Sequence, residues 1–363
     1  MTPTAPTCPE SDCPAPLAAP LWKRILWLLE TLFFRILAVI GTLWAFGALW
    51  FDFPGGPITA WTWLVLCLGG CVATRRKRWR PLVWPAFFFV VWLPWLCIRP
   101  SNQRDWAPEY AQTPQAEILG DVVVFKNVRN FDYKKSPGAA AGEFTQIARW
   151  ENRKVRLSEL RGIDMFINYW GSPWMAHPIV SFDFGPDGHL AFSIETRRER
   201  TETYTALGGL YKLYELSYLV GDESDLVRVR SHFRAGEDVF LYRLAVRPEK
   251  LRERFMEYVK RVNQLHERPE FYDIFLANCT TSIRAQLAGS DRRPLNWRLL
   301  ANGKMDELLH ARGAFVGPKD LDFPAWKKAA HIDPSKVDAT DVAGFYNNIR
   351  AGRPGFDVGT PAK

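Results

Sequence analysis

The apolar residues of this chain are concentrated in its first hundred positions, where they form three long runs. The first run includes only Glu30 and Arg35 as charged residues, and the second and third runs include none. Because a helix needs roughly 20 apolar residues to cross a bilayer, the runs predict three transmembrane helices, at about 25–51, 58–74 and 81–98. Residues 25–34 alone also fit an amphipathic helix that lies in the membrane interface.

Basic residues between the runs predict how the helices are oriented. Five Lys and Arg side chains lie within 75–80, between the second and third runs, whereas 52–57 contains none. Because positive loops stay in the cytoplasm, we expect a multi-pass protein of the bacterial inner membrane, with its N-terminus cytoplasmic and its C-terminal domain periplasmic. The proline-rich residues 1–20 are expected to form a disordered cytoplasmic tail.

The overall composition excludes a disordered or collagen-like chain and does not indicate a nucleic-acid partner. Apolar residues make up 47% of the 363 positions and charged residues 24%, which is typical of a folded protein. The net charge of +8 is modest for this length. The densest basic run lies between two apolar runs, where a topology signal explains it better than a nucleic-acid site.

The exported residues 100–352 combine strand and helix patterns in one domain. Pro248 begins a helix in which apolar residues recur every three or four positions. Strand-like runs, two of them flanking a Pro/Gly turn typical of a β-hairpin, lie at 121–128, 163–170, 179–184, 190–194 and 239–246. This order predicts an α+β domain with an antiparallel sheet. Residues 353–363 are expected to form a flexible tail.

One cysteine, Cys279, lies beyond the predicted membrane helices. It follows Asn278, a favoured residue at the start of a helix, and a helical pattern runs from there to Gly289. Unpaired backbone amides in a first helical turn favour an anion, so this position favours the thiolate form of Cys279 and donors for an oxyanion. The alternative is a buried, inert cysteine that serves as a small apolar residue.

A thiolate nucleophile needs a base, and the hairpin pattern favours His177 among the six histidines. Alternation of side chains across the turn predicts that the residue opposite His177 lies near 195–197, which makes Glu195 or Arg197 its neighbour. Glu195 would orient the imidazole and stabilise its charged form; His189, close to the turn, is the alternative third residue. No spacing typical of metal ligands is present, so no metal and no cofactor are expected.

The exported half resembles the periplasmic domain of Lnb-type lipoprotein N-acyltransferases. The motifs that carry the resemblance are Ser101-Asn102, Arg104-Asp105-Trp106, 128–133 (VRNFDY), Tyr169-Trp170, His177 with Ser181-Phe182, Ser193, Glu195, 197–199 (RRE), 221–225 (GDESD), Arg230, Pro269, Tyr272, 278–281 (NCTT) and Ile349-Arg350. They cover nearly all of 100–352. In the namesake architecture the membrane helices follow this domain, whereas here the apolar runs precede it.

The resemblance implies a fold, a reaction and further site residues. The fold would be a circularly permuted papain-like domain of the NlpC/P60 type. The reaction would move an acyl chain from a membrane phospholipid to the α-amino group of a lipoprotein, through an acyl-enzyme on Cys279. The supporting residues would be Asn278, Thr280, Ser181, Tyr272 and Arg197.

The residues and the resemblance together leave three functions open. The first is the thiol acyltransferase, with Cys279 as nucleophile, His177 as base and Glu195 as the residue that orients it. The second is a cysteine hydrolase, either a peptidase or an amidase, in which water resolves the same intermediate. The third is a non-catalytic module that binds lipid or protein. The oligomeric state is open.

Overall fold

The computed structural model describes residues 20–138, 140–274, 281–283, 298 and 302–356. The chain divides into two compact units between Ile98 and Arg99. Within the helix predicted to begin near Asn278, the described residues 281–283 are helical. The rest of that helix, and most of the two predicted tails, lie outside the described residues.

Three long apolar helices form the N-terminal unit, as the sequence predicts. They are α1 (Leu21–Asp52), α2 (Gly56–Ala73) and α3 (Arg80–Cys97), and each is long and apolar enough to cross a membrane. Helix α1 is continuous through Glu30 and Arg35. Its 32 residues correspond to about 48 Å at 1.5 Å per residue, which exceeds the roughly 30 Å of a hydrocarbon core.

Indole donors and small residues join these helices. The Nε1 of Trp84 in α3 donates to the Oγ1 of Thr42 in α1 at 2.9 Å, and the Nε1 of Trp63 in α2 donates to the carbonyl of Phe87 at 3.1 Å. A Cβ at Gly41 would lie 2.7 Å from the Trp84 ring. Glycine is therefore required there for the close approach of α1 and α3, as is common between membrane helices.

The C-terminal unit consists of strands and helices in mixed order. Its strands are β1 (Gln115–Leu119), β2 (Val122–Arg129), β3 (Asp132–Lys134), β4 (Thr145–Ile147), β5 (Trp150–Arg156), β6 (Gly162–Trp170), β7 (Ser172–Asp183), β8 (His189–Arg197), β9 (Glu215–Gly221) and β10 (Glu237–Arg243). Its described α-helices are α4 (Glu223–Leu226), α5 (Pro248–Glu267), α6 (Met305–Ala311), α7 (Phe323–Ala330) and α8 (Phe345–Asn348).

The described strands build an eight-stranded sheet in the order β1-β2-β9-β8-β7-β6-β10, with β5 also paired to β2. Apart from one parallel bridge between β2 and β9, its pairings are antiparallel. The predicted α+β class with an antiparallel sheet is therefore confirmed. The β7–β8 hairpin forms around the predicted turn and extends beyond the predicted runs 179–184 and 190–194, to Ser172 in β7 and Arg197 in β8.

Both faces of the central strands are covered. On one face Phe255 of α5 packs its ring against three phenylalanines of the sheet and one at the end of β7, with centroids 5.0–6.3 Å away: Phe125, Phe182, Phe192 and Phe184. On the other face Phe166 and Ile179 pack in a second cluster with Phe345 and Ile349. Polar side chains on these strands consequently lie away from water and require partners.

Candidate functional site

His177 and Glu195 face each other across the β7–β8 pair. Ile179 pairs with Ser193 in this ladder, and continuing the register by two residues sets His177 opposite Glu195. The Nε2 of His177 lies 3.1 Å from the Oε1 of Glu195, and both side chains are largely buried. Directly opposed residues of an antiparallel pair project from the same face, so the short-range pattern is enough to bring these two groups together.

Ser193 links the histidine to the carboxylate. Its hydroxyl donates to Glu195 at 2.6 Å and lies 2.7 Å from the Nε2 of His177. A hydroxyl has only one proton to donate, so the Nε2–H of His177 donates to Ser193 in this arrangement. Nδ1 is then the nitrogen that carries the lone pair of the neutral imidazole. The sequence motifs include Ser193 without indicating this role, although its position two residues before Glu195 places it on the same face.

Arg230 adds a second positive group beside the Glu195 carboxylate. It lies on the π-helical turn Val229–Phe233, a local geometry that is frequent at functional sites. Its guanidinium donates to the Oε1 of Glu195 at 2.7 Å and lies 3.5 Å from Glu237, which accepts from Asn168 at 2.6 Å. Arg230 was part of the motifs quoted for the resemblance, but its role follows only from the fold.

The electrostatic environment keeps Glu195 ionised. Burial alone would raise its pKa, yet the positive charges of His177 and Arg230, together with the hydrogen bonds from His177 and Ser193, hold the pKa of the Glu195 carboxyl well below its ordinary value. A carboxylate that stays charged at neutral pH stabilises a protonated imidazole beside it. The surroundings of His177 therefore suit a histidine that gains and loses a proton.

A cavity of about 400 Å³ opens beside this group. That volume lies in the range of small-molecule sites. Its aromatic wall consists of Tyr110, Trp170, Trp174, Tyr204 and Tyr272. Its charged wall consists of His177, Glu195, Arg198, Arg230, Arg234 and Glu237. The cavity thus suits a ligand with two parts: the apolar surface fits an alkyl chain, and the cations fit a polar or anionic group at its end.

The other predicted site residues fall in three places. Tyr272 lines the cavity. Arg197 donates to the carbonyl of Tyr110 at 2.9 and 3.1 Å, so it holds a lining residue in place. Ser181 donates to the Oε1 of Glu223 at 2.5 Å in a separate cluster away from the cavity. Asn278, Cys279 and Thr280 lie outside the described residues.

His189 lies at the opposite end of the hairpin from His177. It pairs with Asp183, six residues beyond His177 on β7, a separation of about 20 Å at 3.3 Å per residue. His189 is thereby out of reach of His177, which leaves Glu195 as the neighbour that can orient the imidazole. Its Nε2 lies 3.7 Å from the Asp183 carboxylate instead.

The cluster around His189 has donors of the kind that bind metals. Donor atoms of Asp164, His189 and Glu223 lie within 4.8 Å of one another. Arg350, however, already contacts Asp164 at 2.6 Å and Glu223 at 2.7 Å, and Arg243 also pairs with Asp164. Because these arginines supply the positive charge that the carboxylates need, the donor set fits an internal ion network better than a metal centre.

Residues 146–303 match the family model described as the Lnb N-terminal periplasmic domain. The matched segment contains the positions of His177, Ser193, Glu195, Arg230 and Cys279. No curated protein and no solved structure matches the chain. The match confirms the resemblance seen in the sequence motifs, and together with the three apolar helices it identifies a membrane protein with a periplasmic domain.

Proposed function

Because residues 146–303 match the model of the Lnb N-terminal periplasmic domain, we propose that this protein is a thiol acyltransferase that uses Cys279 and His177. The observation that carries the proposal is the buried group of His177, Ser193, Glu195 and Arg230 at the wall of a cavity. A histidine held through one ring nitrogen by a charged carboxylate is the arrangement that activates a nucleophile on its other side.

The connectivity of the chain supports Cys279 as that nucleophile. Tyr272 and Ile274 line the cavity, and Cys279 follows Ile274 by five residues. Five residues span at most about 17 Å, and the buried Ser282 bounds the segment on the other side. The thiol is therefore within reach of the cavity wall that His177 occupies.

The first half-reaction transfers an acyl group to the enzyme. His177 takes the thiol proton, the Sγ of Cys279 attacks the ester carbonyl of a phospholipid, and an Sγ–C bond forms. The ester C–O bond then breaks, and the departing alcohol of the lysolipid takes the proton from the imidazolium of His177. Glu195 stabilises that imidazolium while it exists, and Arg230 keeps the carboxylate ionised.

The second half-reaction determines whether the enzyme is a transferase. The α-amino group of a lipoprotein attacks the thioester, a C–N bond forms, and the C–S bond breaks to return the thiolate. His177 takes the amine proton. The aromatic wall of the cavity favours an acyl chain as the transferred group, and attachment to membrane helices keeps the domain close to both a lipid donor and a lipid-anchored acceptor.

A cysteine hydrolase is the second candidate, because the charged wall with Arg198, Arg234 and Glu237 also suits a polar substrate. In that case water attacks the thioester, and the acyl group leaves as a free acid. The two candidates share the first half-reaction and differ in the fate of the adduct.

The test uses the full chain, given phospholipid without an acceptor. Wild type should gain the mass of one acyl chain on Cys279, and hydroxylamine should remove it. Cys279→Ser should be folded and show neither adduct nor turnover, since a serine hydroxyl is a far weaker nucleophile at neutral pH. Cys97→Ser, which alters an exposed cysteine in α3, is the matched control and should behave as wild type.

Addition of a diacylated lipopeptide then separates the candidates. A transferase moves the acyl group to the lipopeptide amine, whereas a hydrolase releases fatty acid whether or not the lipopeptide is present. Full activity in Cys279→Ser would exclude catalysis by the Cys279 thiol. A wild-type protein that shows neither adduct nor turnover would leave the binding module. Mass spectrometry of lipoproteins from cells with and without this gene tests the acceptor in vivo.

A further inference from the structure

Large apolar side chains project into solvent around the mouth of the cavity. Two segments carry them: the beginning of β7, and the connection between β8 and β9. The five side chains, which we call the rim patch, are Trp174 (53% exposed), Met175 (44%), Tyr204 (50%), Leu207 (63%) and Leu210 (44%). A contiguous group of exposed apolar side chains usually marks an interaction surface, whereas single exposed ones are ordinary.

Contacts with the cavity bring the two segments together. Trp174, Met175 and Tyr204 all line it. In the β8–β9 connection, the amide of Leu210 donates to the carbonyl of Leu207 at 3.1 Å. A Cβ at Gly209, inside this turn, would lie 3.5 Å from the ring of Tyr272, on the cavity wall. The rim patch therefore borders the cavity through Trp174, Met175 and Tyr204, and the turn that carries Leu207 and Leu210 lies beside Tyr272 on the cavity wall.

The β7 segment is held in place by the domain. Gly303 lies so close that a Cβ there would be 2.8 Å from the Cα of Trp174, and its carbonyl accepts from the Tyr169 hydroxyl at 3.2 Å. The ammonium of Lys304 lies 5.2 Å from the centroid of the Trp174 ring. The backbone beneath Trp174 is thus fixed from below while the indole stays exposed.

The β8–β9 segment is held by a buried tyrosine. The Tyr214 hydroxyl donates to the carbonyl of Thr203 and accepts from the amide of Thr205, both at 2.9 Å. These bonds fix the chain on each side of Tyr204, whose ring stacks on that of Tyr214. The apolar side chains of this segment are consequently presented outward by an ordered backbone.

Basic side chains accompany the rim patch. Arg198 and Arg234 line the same cavity, and Lys304 lies against Trp174. Trp and Tyr beside Lys and Arg are typical of the bilayer interface, where rings lie at the headgroup level and cations meet lipid phosphates. This combination matches a lipid surface better than an apolar protein partner.

We propose that the rim patch docks on the surface of a phospholipid bilayer, so that the cavity opens onto lipid. The domain is joined through Arg99 to a helix that is apolar enough to span a membrane, which keeps a bilayer within reach. Docking is a property of the surface and does not require the chemistry proposed for Cys279. It would let a lipid chain enter the cavity without crossing water.

Photo-crosslinking of the full chain in cell membranes tests the proposal. A photoreactive phenylalanine analogue replaces Leu207 in the rim patch or Leu119 at the tip of the β1–β2 hairpin, which is similarly exposed at 56%. Leu43, 65% exposed in α1, is the positive control for contact with lipid. The yield of lipid adducts, read by mass, should be several-fold higher at Leu207 than at Leu119.

A second measurement asks whether the two segments act as one surface. With the photoreactive residue in place of Met175, Leu207→Glu combined with Leu210→Glu should reduce lipid adducts several-fold, because charge opposes entry into the interface. Ile118→Glu with Leu119→Glu should leave the yield unchanged, and thermal unfolding verifies that each variant is folded.

Three outcomes would overturn the docking proposal. They are equal lipid yields at Leu207 and Leu119, an unchanged yield in the Leu207 and Leu210 variant, and adducts to a second copy or another protein in place of lipid. The assay includes no catalytic step, so its failure is distinguishable from failure of the proposed acyl transfer.

Discussion

The imidazole of His177 lies 3.1 Å from the carboxylate of Glu195, across two neighbouring antiparallel strands. Strands fix the Cβ positions of such a pair with little freedom, so the imidazole is held before any substrate arrives. Ser193 and Arg230 then donate to the same oxygen, the Oε1 of Glu195. In the mechanism that we propose, His177 would therefore be a preorganised base, which avoids reorganisation during the reaction.

The first prediction concerns the carboxylate that orients His177. Glu195→Gln removes the charge that stabilises the imidazolium, so turnover should fall by about 10²-fold, at the low end of the effects of general-acid–base groups. The loss should be smaller than in Cys279→Ala, because Glu195 forms no bond to substrate. Steady-state rates of acyl transfer measure both. Glu199→Gln, which alters a half-buried carboxylate paired with Arg104, should retain wild-type turnover.

Wild-type turnover in Glu195→Gln would show that the carboxylate has no part in catalysis. Equal losses in Glu195→Gln and Glu199→Gln would show a general effect on the fold. Circular dichroism and thermal unfolding of each variant identify such an effect.

The second prediction concerns pH. The pKa of Glu195 is held low. The charged form of Glu195 therefore stabilises the fold above the ordinary carboxyl range, and this stabilisation is lost only as pH falls through the lowered pKa. Arg230→Met removes the positive charge 2.7 Å away while burial stays, so the pKa of Glu195 should rise. The acid limb of the profile of unfolding free energy against pH should therefore move to higher pH.

Arg234→Met is the matched variant for this measurement. Arg234 lies in the same cavity wall but pairs with Glu237, at 3.5 Å. The acid limb of the Arg234→Met variant should coincide with that of wild type. A limb that stays in place in Arg230→Met would contradict the role assigned to this arginine.

The third prediction concerns stability at the far end of the hairpin. Arg350 bridges Asp164 and Glu223, which are fully buried. Arg350→Met removes a cation that compensates the charge of these two buried carboxylates. The free energy of unfolding should therefore fall by about 3–5 kcal/mol, as when one partner of a buried pair is removed. Chemical denaturation of the detergent-solubilised chain, followed by near-UV circular dichroism, measures the change.

The exposed pair of Arg200 and Asp105 supplies the comparison for Arg350. Both side chains are more than half exposed, so Arg200→Met should change the free energy of unfolding by less than about 1 kcal/mol. Similar losses in the two variants would mean that the buried network contributes no more than a surface pair.

The fourth prediction concerns topology. The basic residues at 75–80 predict that Arg78 is cytoplasmic and Asn347 periplasmic. A reporter that is active only after export should be active when fused after residue 110. Strong activity of a reporter specific to the cytoplasm, fused at the same place, would contradict the three-span arrangement.

Local patterns alone determined the three apolar helices, the helix from Pro248 and the meeting of His177 with Glu195. Each depends on residues that are near in sequence, where a 3.6-residue or 2-residue period decides which side chains share a face. The hairpin turn then relates the two strands without further information. Tyr272 and Arg197, in contrast, were expected at the site because the sequence resembles the Lnb-type domain, and the positions of their side chains were not predicted.

Only the tertiary structure decided what surrounds the His177–Glu195 pair. Arg230 reaches Glu195 from 35 positions along the chain, and Arg350 reaches Asp164 from 186 positions away. Ser181 follows His177 by four residues on one strand, yet it donates to Glu223 in that separate network. Such contacts depend on how covering turns and helices pack on the sheet, and no local period encodes that packing.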